Sequence, residues 1–397
     1  MKNFAKIFLS VAVCMSLANA EKVQHVFETP KDTTPFNGVE LDWGVDLTFT
    51  FQGLDQNYGA EIKDGLALPT ADLDLEAKVM SGFNVKLETM LSSHHHHETF
   101  VKGGYATMDN LDFIYPGFAK GFMDNATISV GVNDINYGDY HFRRTDNADV
   151  MRNPFINNMG IEGYMQAGFL EVLYRMPSLN MFVLGGITNG EVNPDDIADG
   201  QGKDAYGFYA KAGWDSQISD STRVRLTESL FMIEDTSKSR LYMGDKAGNV
   251  PRKIFGSDDF GAVWNAVSGY KDLTASNTNL FIDCDKTGTE FFGLFEYADG
   301  VNQSDEDFTM VHYSAEVVQR FAGDKLYAAA RYENATVERE GDALDDELTQ
   351  YQVGLGWFLS KNAMMKVEYI NQERKNIASY GQDVKFDGYM VSAALSF

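Results

Sequence analysis

Residues 39–51 read VELDWGVDLTFTF, and every odd position is apolar: Val39, Leu41, Trp43, Val45, Leu47, Phe49 and Phe51. The even positions carry Glu40, Asp42, Gly44, Asp46, Thr48 and Thr50. Successive side chains of a strand point to opposite faces, so this strand has one oily face and one wet one. The code returns at the end of the chain, where Tyr389, Val391, Ala393, Leu395 and Phe397 alternate with Met390, Ser392, Ala394 and Ser396. Alternation of this kind in a glycine- and aromatic-rich chain predicts an all-β fold, a transmembrane antiparallel β-barrel.

The N-terminus carries the export address such a barrel needs. Lys2 and Lys6 flank the start of an apolar run from Ile7 to Leu17, too short to span a bilayer, and Ala18-Asn19-Ala20 is a small-x-small cleavage pattern. Residues 1–20 are expected to be a signal peptide and residues 21–397 a single barrel domain in the outer membrane of a Gram-negative bacterium. Removing Cys14 with the signal leaves Cys284 alone, which excludes an intrachain disulfide. No later run approaches the roughly 18 apolar residues of a membrane helix, so membrane residence falls to strands.

The formal net charge of −25 argues against nucleic acid as a partner. It predicts acidic surface loops, where divalent cations bridge to outer-membrane lipid and lipopolysaccharide head groups.

Alternation marks nine strands at about 39–51, 72–80, 83–91, 99–107, 126–133, 161–176, 181–188, 205–214 and 222–232. Six more lie at 289–299, 308–321, 326–336, 348–359, 363–372 and 384–397. With both termini on the periplasmic side, an odd number must fill the gap. Residues 260–268, with Phe260, Ala262, Trp264 and Ala266 on one face, supply one candidate and a total of about 16 strands. Three strands there would make 18. Short turns such as Ser81-Gly82 alternate with longer polar stretches, the asymmetry of short periplasmic turns and long external loops.

Apolar positions that face lipid cannot also fill the interior, so the polar alternates are expected to line a water-filled lumen. Glu40, Asp42, Asp46, Asp72, Asp74, Glu76, Lys78, Lys86 and Glu88, with Arg223 and Arg225, are candidates for that lining. The external loop at 133–160 carries Asp139, His141, Arg143, Arg144, Asp146 and Arg152. Folded inward, it would set its arginines across from acids such as Asp139, Asp146 and Asp149, a transverse field that orients small polar solutes at a constriction. The run His94 to His97 with Glu98 offers alternate rings on one face; His94, His96 and Glu98 make at most a weak surface metal site, and no structural metal or cofactor is expected. Scattered histidines and the lack of a Gly-x-Ser-x-Gly elbow argue against an enzyme.

Several stretches resemble a known family. Val101-Lys102-Gly103-Gly104-Tyr105, Leu111-Asp112-Phe113-Ile114-Tyr115-Pro116-Gly117-Phe118, Asn136-Tyr137-Gly138-Asp139, His141-Phe142-Arg143-Arg144-Thr145-Asp146-Asn147-Ala148 and Asn153-Pro154-Phe155 are similar to outer-membrane porin-like proteins of the Bacteroidetes. That family is distantly similar to phosphate-selective porins. The resemblance covers roughly residues 90–170 and implies a porin, commonly a homotrimer. Phe397 is similar to the C-terminal signal that the barrel assembly machinery reads in porins. Phosphate selectivity is not carried over, because this chain has few lysines and a large acidic excess. The expected function is passive diffusion of small hydrophilic solutes or ions; the alternative is an adhesin or structural barrel acting through its external loops.

Overall fold

The computed structural model describes residues 27–91, 99–145, 150–190, 205–236, 239–242, 253–256, 264, 265, 267 and 269–397. The signal-peptide expectation for residues 1–20, and His94, His96, Glu98 and Asp146, lie outside the described residues.

Sixteen antiparallel strands close into one barrel. They are β1 (Glu40–Gln56), β2 (Gly65–Met80), β3 (Phe83–Leu91), β4 (Thr99–Met108), β5 (Ala126–Asp134), β6 (Gln166–Met176), β7 (Met181–Thr188) and β8 (Gly207–Ser219). They continue as β9 (Thr222–Ile233), β10 (Asp272–Cys284), β11 (Thr289–Val301), β12 (Asp307–Phe321), β13 (Leu326–Arg339), β14 (Asp346–Ser360), β15 (Ala363–Lys375) and β16 (Val384–Ser396). Each strand pairs with its neighbours in sequence, and β1 pairs with β16 to close the seam.

The oily face of β1 points out. Leu41, Trp43, Phe49 and Phe51 are exposed, whereas Asp46, Thr48, Thr50 and Gln52 are buried inside. The same holds on β14, where Tyr351, Val353 and Leu355 face out and Gln350 and Gln352 face in. A closed cylinder with an apolar belt satisfies every ladder hydrogen bond and needs lipid around it. At the seam the Phe397 N–H bonds the Val45 carbonyl at 3.1 Å, the reverse bond is 2.7 Å, and the Phe397 ring meets Trp43 edge-on.

Gly388 sits on that seam at φ +153°, where an added Cβ would lie 2.3 Å from the Gly53 carbonyl oxygen and 2.8 Å from Leu54 Cα. Only glycine fits this combination of dihedral and close approach. Gly388→Ala is expected to cost about 1–3 kcal/mol, read as a lower temperature for the folded-to-unfolded shift in gel migration, with Gly185→Ala on β7 as a control whose backbone is ordinary and whose Cβ meets nothing within 4 Å.

The count of sixteen stands, with the tenth strand at Asp272–Cys284; of the expected stretch 260–268, Phe260, Ala262 and Ala266 lie outside the described residues. Trp264, expected in a strand, lies outside any strand and is buried, and its N–H bonds the Gly160 carbonyl at 2.6 Å. β10 carries an inverted code, which alternation with an oily outward face does not mark: Leu273 and Ala275 point in and are buried, while Thr274, Ser276 and Thr278 point out. A second difference concerns the periplasmic side, where residues 109–125 form a long connection with a one-turn helix, Lys120–Met123.

The third difference is the interior. The inward face is not polar throughout. In the outer half, Tyr209, Phe231, Leu273, Met310, Val337 and Leu348 point inward and pack on Tyr137, Ile161, Tyr242, Trp264 and Tyr270 of the loops after β5 and β9. These loops pack an apolar core against this part of the inner wall, which is why these inward positions are not polar.

Candidate functional site

The loop between β5 and β6 folds into the barrel. Gly138, at φ +68°, turns the chain into a 3₁₀ turn, Tyr140–Arg143. Farther on, the Asn153 side-chain oxygen accepts the Phe155 N–H at 3.0 Å, a turn that the Asn-Pro-Phe sequence favours.

Two walls hold this loop. On one side, Glu333 accepts the N–H groups of Gly160 and Ile161, both at 2.9 Å. Glu368 likewise accepts those of Ile156 and Asn157. Lys366 donates to the carbonyls of Val150, Asn153 and Phe155. Arg143 pairs with Glu316 and lies over the Phe292 ring at 4.7 Å. These partners belong to β12, β13 and β15, and each buried backbone group of the loop they meet would otherwise lose its water uncompensated.

On the other side, Asp139 is fully buried and takes both Nε and Nη2 of Arg225 at 2.9 Å, Lys211 Nζ at 2.6 Å and the Thr227 hydroxyl at 2.9 Å. Burial raises its pKa, but Arg225 and Lys211 outweigh that and hold the carboxyl well below the usual carboxylate range. His141, one turn on, is buried with Nδ1 3.1 Å from the Tyr137 carbonyl. Burial first, then Lys211, push its imidazole down to about 3.

The loop thus spans from the β8–β9 wall to the β12–β15 wall and leaves the β2–β6 wall uncovered. There a cavity of about 400 Å³ remains. Its loop side carries His141, Phe142 and Arg152; its barrel side carries Glu76, Lys86, Glu88, Tyr105, Glu171 and Arg175. Lys86 is paired with Glu88 at 2.5 Å and Asp74 at 3.3 Å. The passage therefore carries both signs of charge. Residues Phe27–Pro30 of the N-terminal segment line it as well.

Of the residues singled out in the sequence, Glu76, Lys86, Glu88, His141 and Arg152 line this cavity. Asp139, Arg143 and Arg144 are buried behind it, while Asp146 and Asp149 lie outside the described residues. Arg144 pairs with Glu162 and stacks on Tyr164 at 4.3 Å, and Arg143 reaches Glu316, so neither meets Asp139. Asp46 is buried and accepts the Val150 N–H at 3.3 Å. Glu40 and Asp42 are exposed near the periplasmic end of β1. Arg223 pairs with Asp215 at 2.7 Å, and Arg225 holds Asp139. Glu316, Glu333, Lys366, Glu368 and Lys211 were missed. Their signal was present: each is an inward alternate of a strand that alternation locates.

No family model matches the chain, and no curated protein matches it significantly in sequence. Solved structures do resemble it. The outer membrane channel DcaP of Acinetobacter baumannii is 12% identical, with 92% of this chain and 99% of that chain covered and a TM-score of 0.58. An anion-selective porin from Comamonas acidovorans is 10% identical over 90% of this chain and all of that one (100%), TM-score 0.57. A loop-deletion mutant of the Vibrio cholerae outer membrane protein OmpT is 12% identical over 91% and 100%, TM-score 0.56. At these identities the shared property is architecture, and the chain has the barrel fold of outer-membrane porins and channels.

Proposed function

We propose that this protein is an outer-membrane porin through which small hydrophilic solutes and ions diffuse passively. The observation that carries this reading is the charged cavity between the inward loop and the uncovered β2–β6 wall of a lipid-facing barrel. A loop bonded on two sides and withdrawn from a third narrows a lumen without filling it. His141 and Arg152 border the constriction, while Asp139, Arg143 and Arg144 position the loop. The descriptions of the similar structures, a channel and an anion-selective porin, support the same reading. So does the resemblance of residues 90–170 to porin-like proteins of the Bacteroidetes, with which go a homotrimer, residues 1–20 as the export signal and Phe397 as the assembly signal.

Lys86, Arg152 and Arg175 stand among Glu76, Glu88 and Glu171, so the passage has weak selectivity, and the overall charge of −25 tilts it toward cations. Purified protein in planar bilayers is expected to give stable ohmic steps, with a reversal potential in a salt gradient that shows a mild cation preference. The adhesin reading draws on the apolar packing of the outer lumen. Silent bilayers together with binding of a surface ligand would establish it in place of the porin.

A further inference from the structure

The segment before β1 crosses the periplasmic mouth of the barrel. Asp32 pairs with Lys78 at 2.7 Å, and Lys31 donates to the carbonyls of Asp109 and Ala126, both at 2.7 Å. Arg175 donates to the Thr29 carbonyl. At its tip, Glu28 meets Arg225 in a bidentate pair, Nη1 to Oε2 and Nη2 to Oε1, each 2.8 Å, with Lys211 Nζ 3.6 Å away. The Phe27 ring lies 4.7 Å from the same guanidinium and 5.1 Å from the Phe281 ring.

Phe27 is the only residue of 27–39 that is buried. The segment is therefore joined to the barrel by polar contacts and by one seated dipeptide. Arg225 and Lys211, both buried, face two carboxylates there, Asp139 and Glu28. Asp139 belongs to the inward loop and is fixed. Asp215, 3.6 Å from Arg225, is held by Arg223. Withdrawing Glu28 leaves one cationic charge in excess, a planar fork shaped for a carboxylate, and an aromatic slot beside it.

We propose that Arg225 and Lys211 form a lumen binding site for small carboxylates bearing an apolar arm, occupied at rest by the chain's own Phe27 and Glu28. This rests on the porin reading only for how a ligand arrives. The probe is 3-phenylpropionate, which joins the same two groups, with its neutral amide as control. Equilibrium binding to folded protein in detergent needs no conduction.

The double variant Phe27→Ala with Glu28→Gln is expected to bind 3-phenylpropionate at least tenfold more tightly than the native chain. The amide is expected to show no such gain. Adding Arg225→Lys, which keeps the charge and removes the fork, is expected to reverse most of the gain. Equal affinity of the native chain and the double variant, with both folded by heat-modifiable migration, would overturn the proposal, as would equal gains for acid and amide. Bilayer steps separate the two readings. Conduction without any gain in binding removes this site and keeps the porin; a gain in binding with silent bilayers does the opposite.

Discussion

Replacing Glu316 by alanine is expected to destabilise the barrel interior by about 3–5 kcal/mol, the cost of removing one partner from a buried ion pair. Glu316 is the hinge of the charge network under the inward loop. One carboxylate oxygen takes Arg143 from the loop; the other takes Arg331 Nη2 at 2.8 Å and Nε at 3.0 Å. Arg331 in turn holds Gln352 at 3.0 Å and Asn153 at 3.3 Å and lies 4.3 Å from the Phe155 ring. All three charged groups are buried.

Alanine at 316 leaves two guanidinium ions facing each other without the anion between them. The loop relieves this by moving Arg143 toward water, which loosens the constriction. Thermal unfolding in detergent should show the loss, and single-channel records should show added open-state noise. Glu316→Gln keeps the shape and one acceptor oxygen but not the charge, so it should fall between. Adding Arg143→Met to the alanine variant should recover part of the loss, because it removes one uncompensated cation. Alanine and glutamine variants as stable as the native protein would show that water already screens this network.

What the sequence made legible follows from which neighbour each face has. Wherever the outward face meets lipid and the inward face meets polar groups, as on β1 and β14, alternation located the strand. On β10 the inward face meets packed loop side chains, so Leu273 and Ala275 point in while Thr274 and Thr278 point out. Periodicity reports that two faces differ; it does not say which face meets lipid and which meets a loop.

The loop residues were legible as unusual chemistry, but their pairings were not. Arginines and acids close in the chain were expected to face one another. Arg143 instead reaches Glu316, and Asp139 reaches Arg225, because a loop inside a barrel is surrounded by wall residues distant in sequence. Register between a loop and a wall leaves no local pattern. The N-terminal segment shows the same limit, since nothing around Glu28 in the sequence points to Arg225.

Acid should loosen this loop through His141. Its imidazole is buried, with Nδ1 3.1 Å from the Tyr137 carbonyl and its ring centroid 3.9 Å from that of Phe142. That contact suits a neutral ring donating from Nδ1. Burial, then Lys211, bring its folded pKa to about 3, against 6.5 for the free side chain. The sign follows from linkage. A histidine whose folded pKa is depressed stays neutral in the native state, while the unfolded chain takes up a proton below 6.5. Its contribution is thus whole above pH 6.5 and is lost as the pH falls from there toward 3, at up to about 1.4 kcal/mol per pH unit.

Asp139 adds a loss of the same direction only at lower pH. Its depressed carboxyl contributes fully above the ordinary carboxylate range and fails as acid protonates it below that range. Other groups titrate between pH 6.5 and 4.5, so the histidine is isolated by comparison with a variant that lacks only its ring. Denaturation midpoints of the native protein should fall more steeply across that interval than those of His141→Gln, by close to one proton. Acid-induced current noise should appear in the native channel and be reduced in the variant. Parallel midpoints across the interval would mean that water reaches the ring, and the loop would then owe its acid response to other groups.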